Sequence, residues 1–387
     1  LLSGLGFAGI HPGAVIRDLS LADRQLIEIA KALRRAPKVL VLDEATSALN
    51  RRQVQQVFSV VRRLCEAGVA VVFISHRMDE VRALCNKATI FRDGEDVGTV
   101  DVAKARDDEI VHMMIGRTLR ETFPPRTQRP EVEAPMLEVH ALGWGDRLRD
   151  VSFTLHKGEI LGLSGLEGQG QGDLLFALFG VYAGVSGEVR VDGTTIRLGG
   201  PSDAMAAGLA LVPEDRKTQG LILPLSVDEN MTLPTLPAVS RNGVISAAAV
   251  DTATTAMRDR LAIRMASPAA PVRFLSGGNQ QKVAIAKWLL TDAAVFLLYD
   301  PTRGIDVGAK QEIYELMRRL AAEGHAILFF STDLAEIVGL CDRALVMYEG
   351  SVARELNGPA LSEANLVSAA VGLADVASRQ SEVGSRT

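Results

Sequence analysis

At 387 residues, with 47% hydrophobic and 23% charged side chains, the chain has the composition of a globular protein of about two domains, each large enough to bury its own core. Its longest apolar runs, 69–74, 295–298 and 326–330, have the length of buried parallel strands and fall short of the roughly 18 residues a membrane-spanning helix needs. A formal charge of −5 gives no electrostatic basis for binding nucleic acid, and three cysteines (Cys65, Cys85, Cys341) without metal-ligand spacing fit reduced thiols of a cytosolic protein.

In chain order, Leu19-Ser20-Leu21-Ala22-Asp23 opens a helical stretch. An apolar strand over 39–42 then ends in Asp43-Glu44. A helix over 52–67, a strand over 69–74 followed by Ser75-His76, a helix over 79–85 and a strand over 88–91 complete the first half. Strands alternating with amphipathic helices predict an α/β fold with a parallel sheet. The Pro-rich polar stretch from Phe123 to Pro135 reads as an extended linker. Beyond it lie a strand over 159–164, a glycine-rich loop from Gly165 to Gly172 and a helix over 173–179. Further on come Leu275-Ser276-Gly277-Gly278 before a helix over 283–290, and a strand over 295–298 ending in Tyr299-Asp300. The residues after 376 are polar and expected to fray.

Residues 19–94 recur at 275–350 with a constant offset of 256 and no gap. Leu19-Ser20, Gln25, Ile29-Ala30-Lys31, Thr46, Arg62-Arg63-Leu64, Gly68, Phe73, Ser75, Glu80, Cys85 and Gly94 each meet an identical residue at the offset position. A period this long means tandem domains, not stacked short repeats. The expected organisation is a first domain over 1–116, a linker over 117–135, a second domain over 136–373 and a disordered tail over 374–387. The first-domain twin of the glycine-rich loop falls about 90 residues before Leu1, so the first domain is expected to lack its front.

The loop Gly165-Leu-Glu-Gly168-Gln-Gly170-Gln171-Gly172 has the glycine frame of a phosphate-binding P-loop between a strand and a helix, where backbone N–H groups can cradle phosphate. Gln171 stands where that motif has its lysine, and Gly172 where it has the hydroxyl for Mg²⁺; a plain tight turn is the other reading of the loop. Asp43-Glu44 at a strand end and His76 some 30 residues on are candidate groups for metal-assisted chemistry; taken alone, the pair also reads as solvated charge and His76 as a structural histidine. Their twins are Tyr299, Asp300 and Thr332, so the second set is expected to hydrolyse nucleotide poorly.

Together these residues resemble ATP-binding cassette (ABC) ATPases. Glu214-Asp-Arg-Lys217 with Gly220-Leu221, Leu275–Leu289 and Pro301–Lys310 narrow the resemblance to the ATP-binding subunit of bacterial sugar importers of the ribose, galactose and xylose class, over essentially all of residues 1–373. The resemblance implies tandem P-loop NTPase domains of ABC type, the first incomplete, using ATP and Mg²⁺. Asp43 would hold Mg²⁺ through water, Glu44 would activate water and His76 would support the γ-phosphate. Across the pairing that the family implies, these face Ser276, Gly277 and Gly278, while Gly165, Gly168, Gly170, Gln171, Gly172 and Asp300 face Ser20 and Ala22. Glu214 takes the place of a glutamine that senses nucleotide and contacts the permease. Implied partners are transmembrane permease subunits and, indirectly, a periplasmic sugar-binding protein, with no nucleic acid; the implied location is peripheral, on the cytoplasmic face of the bacterial inner membrane. Trp144 is open to two readings, adenine stacking or packing, and Asn50 and Asp306 to two more, contacts between cassettes or helix capping. For the chain as a whole the alternative is a non-catalytic nucleotide-binding or structural remnant.

Overall fold

The computed structural model describes residues 10–43, 45–46, 49, 51–75, 78–92, 95–106, 109–110, 113, 123–125, 134–166 and 168–372. Glu44, Asn50, His76, most of the stretch over 117–135 and the tail over 374–387 lie outside the described residues. The chain divides into two compact units, Leu1–Glu121 and Thr122–Thr387, at a boundary inside the stretch read as a linker. Within the second unit, the ring of Phe123 packs 5.3 Å from that of Tyr314.

In the first unit, β1 (Val39–Asp43) and β2 (Ala70–Ile74) pair in parallel from Val39↔Ala70 to Asp43↔Ile74. The helix Arg51–Glu66 connects them. Val54, Val57, Phe58 and Val61, spaced to share one face of that helix, are buried with Leu26, Ile29, Leu40 and Leu42. A hairpin of β3 (Lys87–Arg92) and β4 (Glu95–Asp101) follows the helix Met78–Leu84.

The second unit has two sheets. Its main sheet contains β7 (Ile160–Gly165), β10 (Leu209–Val212), β13 (Val295–Tyr299), β14 (Ala326–Phe330), β15 (Arg343–Tyr348) and β16 (Ser351–Asn357). The order is β10-β13-β14-β7-β15-β16, parallel throughout except for antiparallel β16. Continuous apolar sequence suits strands buried on both faces, and every residue of β14 is buried. An antiparallel sheet of β5 (Pro135–Trp144), β6 (Leu148–His156), β8 (Ser186–Val191) and β9 (Thr194–Ile196) has the order β6-β5-β8-β9. The sequence reading did not anticipate this sheet, because register shifts between Val139 and Leu142 and between Leu142 and Trp144 interrupt the alternation that marks a strand.

One boundary moves in a way that matters for the site. The helix after the glycine-rich loop spans Gln171–Leu178, starting two residues earlier than expected, so Gln171 and Gly172 lie in its first turn.

Candidate functional site

The parallel strands β10, β13, β14 and β7 are neighbours, so the chain segments leaving their C-terminal ends lie along one edge of the sheet, the usual position of a ligand crevice in such folds. That edge gathers Glu214 after β10, Tyr299-Asp300 at the end of β13, Ser331-Thr332 after β14 and the Gly165–Gly172 loop after β7. Each was singled out by the sequence except Ser331, which entered only as a repeat identity.

The loop itself turns through left-handed backbone at Gly165, Gly168 and Gly170 (φ 144°, 82° and 103°) and leads into the helix Gln171–Leu178, a setting in which backbone amides can be aimed at an anion. Gln171 is buried, and its side-chain amide donates to the carbonyl of Leu166 at 2.9 Å. It therefore folds back over the loop and brings no positive charge there. At the third helical position Asp173 accepts from Arg147 at 3.0 Å and from the Tyr182 hydroxyl at 3.3 Å.

Gly172 and Tyr299 are in contact. A Cβ at position 172 would lie 2.7 Å from Tyr299 Oη, 2.8 Å from Cε1 and 2.9 Å from Cζ. The Tyr299 ring meets Phe176 and Phe330 edge-on, with centroids 5.9 and 5.3 Å apart. Phe176 continues the row to Tyr182, which stacks on Trp144 at 3.8 Å with the planes 4° apart. Trp144 also donates its indole N–H to the carbonyl of Ala183 at 3.2 Å, so it has packing partners in Tyr182 and Ala183.

Asp300 is buried, adopts a left-handed φ of 45° and accepts a hydrogen bond from the Thr332 hydroxyl at 2.8 Å. Burial pushes its carboxyl up to about 6, and the Glu336 carboxylate adds to the rise, against the opposing Thr332 bond and Lys310 charge.

Sequence reasoning did not assign Glu336 a role. Almost fully buried, it accepts from Thr302 Oγ1 at 2.7 Å, Ser331 Oγ at 2.7 Å, Tyr314 Oη at 2.7 Å and Lys310 Nζ at 2.9 Å. It thereby ties the segment after β13 to the segment after β14. Its first-unit twin, Glu80, is also buried and accepts from Thr46 at 2.5 Å and Ser75 at 3.2 Å. The available signal was the identity of three polar pairs, Thr46/Thr302, Ser75/Ser331 and Glu80/Glu336, at the repeat offset.

Ser276 caps the helix Gly277–Leu289, accepting from the Asn279 backbone, and its Oγ also accepts from the Asn279 side-chain amide at 2.9 Å. Ser20 likewise caps the helix Leu21–Leu33, but there the twin of Asn279 is Asp23, and the Ser20 hydroxyl donates to its carboxylate at 2.7 Å. Ala22 sits in the first turn of that helix, where the second unit has Gly278. Gly278 packs closely, since a Cβ there would lie 2.5 Å from that of Ala309. Arg216, which the sequence reading quoted only as part of the 214–217 motif, donates to the carbonyls of Arg303 and Gly304 at 3.0 and 3.1 Å, and its Nη2 would lie 2.8 Å from a Cβ at Gly277. Glu214 forms an ion pair with Arg303. Asp306 caps the helix Val307–Ala322, accepting from the Ala309 backbone at 2.9 Å, which is the capping alternative.

In the first unit Asp43 ends β1 with its side chain exposed, opposite Ile74. An exposed carboxylate at a strand end fits Mg²⁺, which takes one or two carboxylates and fills its shell with water and phosphate oxygen. No group of three or more His, Cys, Asp or Glu residues suited to a metal occurs among the described residues. Nor is any helix among them long and apolar enough to cross a membrane.

A P-loop strand at the centre of a parallel sheet, flanked by an antiparallel sheet and a glycine-led helix, is the ATP-binding cassette architecture. The ABC transporter family model matches residues 148–303. A nucleotide-free ATP-binding cassette from an ABC transporter superposes with a TM-score of 0.52 at 20% identity, over 59% of this chain and 93% of that one. A cassette in its ADP conformation gives 0.52 at 20% identity, over 60% and 95%. Both are likenesses of fold. The ribose import ATP-binding protein of Rhizobium etli is 49% identical over 96% of this chain and 73% of its own length, and that of Mesorhizobium japonicum is 49% identical over the same shares. The chain belongs to this family of ABC sugar-importer ATP-binding proteins, and it is an ABC-type ATPase.

Proposed function

We propose that the chain is the ATP-hydrolysing part of a peripheral subunit on the cytoplasmic face of the membrane, energising import of a monosaccharide through transmembrane permease subunits. Ribose is the sugar named for its relatives, and a periplasmic binding protein would deliver it. On this reading the two units are tandem cassettes with unequal tasks. The observation that carries it is the contrast at one repeat position: an exposed carboxylate, Asp43, in the first unit and an aromatic side chain packed on Gly172, Tyr299, in the second.

Bound Mg²⁺ would supply charge neutralisation at the phosphates. Asp43 would orient it through water, Glu44 would take the proton side of the attacking water, and His76 would donate toward the γ-phosphate. Ser276, Gly277 and Gly278 present a helix N-terminus that is suited to the γ-phosphate of a nucleotide held by another cassette. The second unit's loop, Gly165–Gly172, would hold nucleotide through backbone amides, with Ser20 and Ala22 supplying the weaker helix start. Glu214, ion-paired to Arg303, would report nucleotide to the permease. The first unit is read as the later part of a cassette. Support comes from Val41 and Ile74, 59% and 47% exposed, whose twins Leu297 and Phe330 are buried at 0% and 7%.

The test is ATP turnover by the importer-bound protein with a complete first cassette. Glu44→Gln is expected to lower it by about 10²–10³-fold and Asp300→Asn by far less. Full turnover in the Glu44 variant would reject the assignment.

A further inference from the structure

The second unit's loop combines a nucleotide-binding frame with a side-chain set that does not fit Mg²⁺. In the P-loop frame, position 172 would carry a hydroxyl, and position 299 is the twin of Asp43. Both oxygen donors are gone, and the replacements are physically linked. Tyr299 can lie where it does only because position 172 has no side chain, since even a Cβ would fall within 2.7–2.9 Å of the phenol ring. The ring is also held from its other sides, by Phe176 on the loop's own helix and Phe330 on β14. The carboxylate next to Tyr299, Asp300, is almost fully buried, and its Oδ2 accepts from Thr332 at 2.8 Å. A hard cation would have to displace a wedged aromatic ring to reach it.

We propose that Tyr299 and Gly172 form a matched pair that closes the metal position of the second phosphate loop, so that this unit binds no divalent cation while its backbone amides remain open to phosphate. The proposal rests on reading Gly165–Gly172 as a nucleotide site. It predicts that restoring the pair together opens a metal site, whereas restoring the hydroxyl alone forces a collision.

The experiment is Mn²⁺ binding by electron paramagnetic resonance, on the whole chain with Asp43→Asn as background and a non-hydrolysable ATP analogue present. Without further change, no analogue-dependent Mn²⁺ is expected. With Gly172→Ser and Tyr299→Asp together, about one Mn²⁺ per chain is expected. Tyr299→Asp alone, which creates no clash and guards against misfolding of the double variant, is expected to bind Mn²⁺ more weakly. Analogue-dependent Mn²⁺ already present in the background protein overturns the proposal, and so does a failure of both variants to gain it. Binding of a fluorescent ATP analogue in EDTA tests the underlying reading separately: its loss on Gly168→Asp, where an added side chain meets nothing within 4 Å and brings negative charge to the loop, supports a nucleotide site there, and its persistence rejects one.

Discussion

The repeated strands of the two units have nearly the same apolar character and different surroundings. In the second unit, β13 and β14 are buried almost end to end, and β14 pairs with β7, which pairs in turn with β15. In the first, β1 and β2 are buried on one face at best, Val39 and Val72 stand 57% and 49% exposed, and the hairpin β3–β4 forms a separate sheet among the described residues. Continuous apolar sequence encodes a strand meant to be covered on both sides, but the cover comes from elsewhere in the chain. For the second unit it is the region over 135–206, which has no counterpart among the first unit's described residues.

The most direct way to break this comparison is the Glu44→Gln measurement of turnover, where a loss of about 10²–10³-fold is expected against a small effect at Asp300. Next in size is the buried carboxylate hub. Glu336→Gln leaves Lys310 facing a neutral amide and is expected to cost on the order of 2–4 kcal/mol, read as faster hydrogen exchange in peptides containing Thr302 and Ser331. Glu80→Gln is expected to cost less, because Val54 and Phe58 stand where the second unit has Lys310 and Tyr314. Equal losses at both sites would show that the ammonium adds nothing.

Asp300 gives a pH test. Its carboxyl titrates near 6 when folded, above its usual 3.8, so its ionisation opposes folding: the stability it permits is intact below about pH 4 and is lost as pH rises through 6. Asp300→Asn is therefore expected to match wild type near pH 4 and to exceed it at pH 8 by on the order of 2–3 kcal/mol, a gain of roughly several degrees in melting temperature. A constant difference across that range would contradict the burial argument. The smallest effects are expected at the two helix starts. Asp23→Asn removes a favourable charge from the first turn of Leu21–Leu33 and is expected to cost roughly 0.3–1 kcal/mol. Asn279→Asp is expected to stabilise its own helix by a similar amount while lowering ATP turnover, since the added charge opposes phosphate; unchanged turnover would remove Ser276 from the site.

Much of this was legible without coordinates. The offset of 256 paired Asp43 with Tyr299 and Ser20 with Ser276, and the apolar runs located β1, β2, β13 and β14 to within a residue or two. The hub at Glu336 escaped because its four donors are spread over residues 302–331 and converge only when two strand exits and one helix meet. The antiparallel sheet escaped because shifted pairing in β5 erases the period by which a strand is recognised. Glu44 and His76, both read from sequence, lie outside the described residues.

By itself the sequence determined which kinds of side chain occupy each pair of repeat positions, because residue identity at a fixed repeat position needs no geometry. Only the tertiary structure decided that Gly172 and Tyr299 are in contact. Contact between a helix's first turn and a strand's last residue, more than a hundred positions apart, is set by how the sheet packs, and local sequence carries no trace of it.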